Sequence, residues 1–350
     1  MKTTKAVAFL LALVLAVSCN STGKHLPKAE NYRSYDPVVQ KMLYAMRTAD
    51  GTSELNSLMI VQHGKKVLEY YDCCYGPDFM NICWSASKTF TATAVGFAVQ
   101  DGVLKVEDRI IDHLKPEQLP AQVSDTLKAL TIHDLLRMAS GLKKDPIGPT
   151  GAYGLDEPTR TVLEAGFRFW PGERYKYNSH NTYLLSVAVQ NATGKTVAQY
   201  IDEKLFKPLD IRKWHWDLSN EGYSMGGWGL YLPTESLAKM GLWMMAKGVW
   251  NGKRLLNEEW FDEAMKAQVY QYGHVTDPEV IAKAHRDWKA GYGYQMWMMD
   301  GGGCRLDGAH GQWSIIFPQY DAVVVLTGNC RDTRKEMTAL REFVEPMLQE

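Results

Sequence analysis

Two runs near the start of the chain, Ser57–His63 and Lys66–Asp72, are dense in aliphatic and aromatic residues and meet at Gly64. They predict a β-hairpin. A helical apolar pattern opens at Ser85 and runs through Phe90, Ala94, Val95, Phe97 and Ala98 to the stop signal Asp101-Gly102. Near the C-terminus Tyr292–Met299, Gln312–Phe317 and Asp321–Thr327 are strand-like, with Pro318-Gln319-Tyr320 as a turn. Thr333–Leu348 then reads as an amphipathic helix in spite of Pro346. Strands at both ends with helices between them predict an α+β fold. Its antiparallel sheet is built from N- and C-terminal strands flanked by helices, with a large mostly helical insertion. One domain is expected over residues 51–345, its α/β part at about 51–110 and 286–350 and its helical part at about 111–285. Neither an internal repeat nor a low-complexity tract interrupts this plan.

The first residues read differently. Lys2 and Lys5 precede the apolar stretch Ala6–Val17, and Ser18-Cys19 follows. This is the layout of a signal peptide, 1–18, too short for a comfortable membrane span. Cys19 after Ala16-Val17-Ser18 resembles a lipobox with Ala16 where leucine is usual, so Cys19 is the expected lipidation site; plain cleavage after Ser18 also fits. Residues 19–50 are then a tether and lead-in, polar from Asn20 to about Asp36. The expected location is the periplasm or cell envelope of a bacterium, as an exported lipoprotein held to the membrane through Cys19.

Composition narrows the field. The chain has 350 residues, 45% hydrophobic and 23% charged, ordinary for a globular protein. Its formal charge of −1 becomes −3 once Lys2 and Lys5 leave with the leader, which argues against nucleic acid as a partner. Five cysteines remain beyond Cys19: Cys73, Cys74, Cys83, Cys304 and Cys330. An odd number leaves a thiol unpaired; Cys304 and Cys330 flank a strand pair and could bridge. Cys83 reads as a small buried apolar residue rather than a nucleophile, because no histidine lies near it.

The chemistry centres on Ser85-Ala86-Ser87-Lys88. Residues three apart on a helix share a face, so hydroxyl and amine can touch. A serine becomes a nucleophile when a neighbouring base takes its proton, and a buried lysine can be that base. At a helix start the free N–H groups favour developing negative charge. Most S-x-x-K stretches are solvated helix surface; here the apolar helix behind Ser85 argues for burial. Tyr177, in Tyr175-Lys176-Tyr177-Asn178-Ser179 after a Pro171-Gly172 turn, is a candidate proton relay, although a tyrosine taken alone is more often structural. A third element, Asp307-Gly308-Ala309-His310-Gly311-Gln312, puts glycines before a strand, where the backbone can approach a ligand and supply N–H groups.

Together, in this order and at these spacings, the three elements resemble the serine β-lactamase and penicillin-binding-protein superfamily, in its class C-like branch of β-lactamases, D,D-peptidases, esterases and 6-aminohexanoate-oligomer hydrolases. Thr131–Leu142 with its Ser140-Gly141-Leu142 end, Gly226–Leu230, Leu237–Gly241 and Gly248–Lys253 extend the resemblance over roughly residues 50–345. It implies that Ser85 is acylated, that Lys88 is its base, and that Tyr177 opens the Y-x-N motif. The oxyanion would sit between the Ser85 N–H and one near Gln312. Two departures stand out. Ser179 replaces the asparagine of Y-x-N, so that either Ser179 fills the place or Asn178 has moved into it. K-[ST]-G is replaced by Gly308–Gln312, with His310, Gly311 and Gln312 as possible substrate or oxyanion contacts. In β-lactam-binding relatives that strand helps grip the substrate carboxylate, so its lost lysine weakens the case for β-lactams.

The expected activity is therefore hydrolysis of an amide or ester of a small-molecule or peptide-like acyl substrate through an acyl-enzyme, without a cofactor or metal. β-Lactamase or D,D-peptidase activity, and a non-catalytic surface binding protein of the same fold, are the alternatives. A Ser-His-Asp hydrolase lacks its G-x-S-x-G, and metal hydrolases lack H-E-x-x-H and H-x-H-x-D. Asn191–Thr196 ends like a P-loop, but Val189 stands where its first glycine belongs, so the segment reads as a helix end followed by a new helix. Trp170, Trp228 and Trp313 could line a cleft; a place in the core is the commoner reading.

Overall fold

The computed structural model describes residues 25–47, 54–143, 154–275 and 277–349. The signal-type leader and Cys19 lie outside the described residues. A mixed seven-stranded sheet forms the centre, in the order β1-β3-β2-β12-β11-β10-β9. Its strands are β1 (Lys28–Arg33), β2 (Glu54–Gln62), β3 (Lys65–Tyr71), β9 (Trp297–Met298), β10 (Cys304–Gly308), β11 (Gln312–Phe317) and β12 (Ala322–Asn329). A ribbon of β4 (Asn81–Ile82), β6 (Leu230–Leu232) and β5 (His215–Trp216) and a hairpin of β7 (Val249–Trp250) and β8 (Lys253–Arg254) lie outside it.

β2 and β3 join through a two-residue turn, His63-Gly64, both with positive φ, the geometry that matches the twist of a hairpin. β2 and β12 then pair antiparallel, Ala322 opposite Gln62 through Asn329 opposite Glu54, and so stitch the two ends of the chain together. Both sheet faces are covered, which is why β2 and β12 are continuous apolar runs rather than alternating ones. Met59, Val61, Val323, Val325, Ile316 and Leu306 face the helical layers. Leu58, Ile60, Val324, Leu326, Ile315 and Trp313 face the terminal helices.

The helical side is organised by the Ser87–Gln100 helix, buried from Ser87 to Ala98. It packs against the Ser179–Thr193 helix, while the Thr234–Met245 helix covers β11 and β12. Gly194 in the left-handed region ends the Ser179–Thr193 helix, and Thr196 caps the next one, as the sequence implies. Gln295 ties the layer to the sheet: its side-chain amide donates to the Leu135 and Leu136 carbonyls, its Oε1 accepts from Thr182, and its carbonyl accepts from Thr89.

Three expectations change. Residues 28–46 are not part of a tether. β1 adds in parallel to the edge of β3, and the Pro37–Met46 helix buries Val38, Val39, Met42 and Met46 beneath the sheet. The signals were in the chain: Asp36 caps the helix, Pro37 opens it, and the apolar residues recur on one face. The sheet is therefore antiparallel except at β1. Cys304 and Cys330 do not bridge, because they sit in the cores on opposite faces of the sheet; among the described residues neither they nor Cys73, Cys74 and Cys83 form a disulfide. Finally, Tyr292–Met299 is mostly irregular, with β9 confined to Trp297–Met298.

Met42 is fully buried and Lys41 is exposed. Met42→Ala should lower the unfolding free energy by about 2–5 kcal/mol in a denaturant titration. Lys41→Ala should change it by less than about 0.5 kcal/mol. A Met42→Ala variant as stable as the parent would mean that the N-terminal helix is not docked.

Candidate active site

Ser85 lies in a single tight turn, Trp84–Ala86, which leads directly into the Ser87–Gln100 helix. The segment before it is pinned to β6. Asn81 and Ile82 pair with Leu232 and Tyr231, the Cys83 N–H donates to the Leu230 carbonyl, and the Leu230 N–H donates to Ser87 Oγ. Trp84 then takes φ 47°, rare for a large side chain and a mark of a backbone constrained from outside. This sharp reversal turns Ser85 to a half-buried position at the head of the helix. Cys83 is fully buried and burial pushes its thiol pKa up, consistent with a packing role.

One helical turn on, Lys88 is 1% exposed inside an apolar layer. A buried ammonium requires acceptors for its three N–H groups. Ser85 Oγ lies 3.0 Å from Nζ, Ser179 Oγ 3.1 Å and the Gly227 carbonyl 2.5 Å. These come from three separate segments, so the lysine is the point at which they meet. Nζ also stands 5.2 Å from the centre of the Tyr177 ring. That ring is stacked on Trp297 at 6.3 Å and meets Tyr292 edge-on at 6.2 Å. Tyr175 and Tyr292 lie behind it; burial first, and the neighbouring tyrosines next, raise both phenol pKa values well above the ordinary range.

The two readings of Tyr177-Asn178-Ser179 now separate. Asn178 caps the Ser179–Thr193 helix by accepting from the His180 N–H, and its amide donates to the Lys143 carbonyl. Ser179 is the residue that meets Lys88. Ser140, from the Ser-Gly-Leu stretch, donates to Asn181 one turn further along and holds that helix end in place.

The stretch Gly308–Gln312 divides its tasks. Gly308 is the residue pressed on the segment that leads to Ser85; a Cβ there would stand 2.2 Å from the Cys83 carbonyl. His310 is exposed in the turn, its ring edge-on to Trp84 at 5.8 Å. Gly311 packs against Glu336. Gln312 spends its amide on the Gly328 and His310 carbonyls, so its side chain is a brace for the turn rather than a substrate contact. Asp307 is on the other face of β10, where it accepts from Arg305 Nε at 2.8 Å and the Trp313 indole at 3.2 Å. Trp228 and Trp313 are core residues, whereas Trp170 is 54% exposed.

Sequence reasoning missed Gly227 as a partner of Lys88. The signal was the Gly226-Gly227 pair. A Cβ on Gly226 would lie 2.0 Å from Ser186 Oγ, and one on Gly227 2.8 Å from the Ser179 carbonyl, so only glycines thread between the two helices here. Nothing in the sequence marked the conformation of Trp84.

A hydroxyl, a buried amine and a phenol so arranged can pass a proton away from and back to a reacting atom. The chain belongs to the Beta-lactamase family, whose model matches residues 55–345. It is similar to Protein flp of Staphylococcus aureus (strain MW2), at 26% identity over 170 residues, 45% of this chain but only 33% of that protein; the chain thus spans about a third of this relative's length. It is also 24% identical to the 6-aminohexanoate-dimer hydrolase of Paenarthrobacter ureafaciens over 317 residues, 83% of this chain and 78% of the other. In fold it matches a penicillin-binding protein from Bacillus halodurans with a TM-score of 0.64 at 17% identity, covering 88% of this chain and 99% of that one.

Gly227→Ala should push the Ser179 carbonyl and the Gly227 carbonyl apart. The expected loss is about 1–3 kcal/mol of stability, together with slower modification of Ser85 by a fluorophosphonate. Gly76→Ala, where a Cβ meets open space, should change neither. Equal behaviour of the two variants would contradict the close packing around Lys88.

Proposed function

We propose that the chain is an exported serine hydrolase that opens an amide or ester bond through a covalent acyl-enzyme on Ser85. The observation that carries this reading is the 3.0 Å approach of Lys88 Nζ to Ser85 Oγ, with Nζ held from behind by Ser179 and Gly227. Once deprotonated, Lys88 keeps two N–H groups on Ser179 and Gly227 and turns its lone pair to Ser85 Oγ, taking the hydroxyl proton as Oγ bonds to the carbonyl carbon. The carbonyl π pair moves onto oxygen, which rests between the Ser85 N–H and that of Ala309. Ala309 is assigned because it follows Gly308, the residue in contact with the Cys83 carbonyl. The tetrahedral intermediate collapses, and the departing nitrogen or oxygen receives its proton by way of Tyr177. Water then repeats the sequence on the acyl-enzyme and frees the acid.

The substrate in this reading is an open-chain amide or ester rather than a β-lactam. The Paenarthrobacter relative is named for a 6-aminohexanoate dimer. The stretch Gly308–Gln312 that takes the place of K-[ST]-G carries no lysine, and the neighbouring Asp307 is already engaged by Arg305. Export and a lipid anchor on Cys19 belong to the same proposal; among the described residues no helix is long and apolar enough to cross a membrane.

A fluorophosphonate should add one equivalent to the parent protein and none to Ser85→Ala, read by intact mass. Short acyl p-nitrophenyl esters should be hydrolysed much faster than a chromogenic cephalosporin. Tyr177→Phe should reduce kcat by about 10²–10⁴-fold while still forming the adduct. Labelling that persists in Ser85→Ala would remove Ser85 from its role, and no adduct with any acyl donor would make the chain a binding protein. For the anchor, the mature N-terminal peptide of the full-length chain expressed in bacteria should begin at Cys19 and carry a thioether-linked diacylglycerol. Cys19→Ala should be recovered without lipid, and an unmodified Cys19 in the parent would reject the anchor.

A further inference from the structure

Behind the β10–β11 turn lies a carboxyl group that the reaction above does not use. Glu336, on the Thr333–Ala339 helix, is 0% exposed, and neither of its oxygens has a hydrogen-bond partner among the described residues. It lies flat on Gly311. A Cβ at that position would stand 2.1 Å from Oε2 and 2.4 Å from Oε1, so the carboxyl occupies the space a side chain would take. Gly311 has φ 82° and is the last residue before β11. The turn is also tied to the end of β12 and the residue after it, through the Cys330 N–H to the His310 carbonyl at 3.0 Å and the Gln312 amide to the Gly328 carbonyl at 2.6 Å.

We infer that Glu336 is a positioning residue for the oxyanion site: held as the neutral acid, it backs the Gly308–Gln312 turn and fixes the Ala309 N–H against Ser85. This rests on the acyl-enzyme reading for its effect on rate, but not for its effect on structure. An ionised carboxylate in that dry position would have no compensating donor. It would draw in water or the N–H groups of the turn, and either movement carries Ala309 with it. Burial first, and Asp307 next, raise the Glu336 pKa well above the ordinary carboxylate range.

The charged neighbours do not supply a counter-ion. Asp307 on β10 has the same sign and is taken up by Arg305 and Trp313. On its own helix Asp332 accepts from the Arg334 and Lys335 N–H groups, while Lys335 Nζ reaches the Arg47 carbonyl. Lys41 of the N-terminal helix and His310 of the turn are exposed. The sign of the linkage follows. The folded state keeps a proton that the unfolded state loses above the ordinary carboxyl range, so stability falls as pH rises from there towards the folded-state pKa.

The test compares the parent with Glu336→Gln, which keeps the shape and cannot ionise. The parent should lose folding stability with rising pH along a slope absent from Glu336→Gln, and infrared difference spectra should show a protonated-carboxyl band that disappears in the variant. The rate of Ser85 labelling by a fluorophosphonate should fall about tenfold per pH unit above the Glu336 midpoint in the parent, on a limb missing from Glu336→Gln. Gly311→Ala should slow labelling far more in the parent than in a Glu336→Ala background, where the colliding atoms are gone. Superimposable pH profiles, an unchanged infrared band or equal Gly311→Ala penalties would each overturn the proposal. If Ser85 is never labelled, the hydrolase reading fails, while the stability and infrared comparisons still judge Glu336.

Discussion

An amine buried in an apolar helical layer is the constraint on which the rest of this protein depends. Lys88 is 1% exposed, so in its charged form the fold must deliver an oxygen to each of three N–H groups. It draws them from the Ser85 turn, from the head of a second helix and from a glycine carbonyl on the loop between β5 and β6. Loss of any one partner would leave a buried donor unpaired, at about 1–3 kcal/mol. Ser85 therefore cannot be displaced without unsettling the core.

The sheet serves this arrangement by closing the chain on itself. β2 and β12 come from opposite ends of the sequence and pair over their full length, with Ser57 bonded to Thr327 and to Thr234 across the join. On one edge of the sheet β10 brings Gly308 to the nucleophile's turn. On the other, Lys66 is buried between Glu69 and Glu235, and although burial opposes its charge these two carboxylates keep its pKa above the ordinary value. Glu235 also accepts from the Leu26 N–H, which fastens the first described residues to the Thr234–Met245 helix.

What the sequence disclosed depended on how local the cause was. Ser85 and Lys88 are three residues apart, so helical geometry alone puts them together. The Gly64 hairpin and the Gly194 helix end are likewise set by nearby residues. The partners of Lys88 lie 91 and 139 residues away, and only the packing of two helices defines which atoms reach it. Asn178 and Ser179 were indistinguishable by type, because either can accept a hydrogen bond; the capping geometry of their helix assigns one to the backbone and the other to the lysine. The Pro37–Met46 helix was overlooked for a different reason. Its cap and apolar stripe were present, but its partner surface is made by strands far along the chain. Trp84 gave no sign, since its backbone is bent by contacts on both sides rather than by its own preference.

Gly226, Gly227 and Gly308 share a property with a wider bearing. Each allows close approach around the serine, Gly227 and Gly308 of main chain to main chain and Gly226 of main chain to the Ser186 and Thr91 side chains, and at each a single added carbon would collide with a neighbouring oxygen. The innermost shell therefore has no room to drift by small steps. Room for change lies further out, as in the groove of about 480 Å³ bordered by Ile82, Trp84, His215, Leu218 and Tyr231, where side chains can vary without moving the backbone around Ser85.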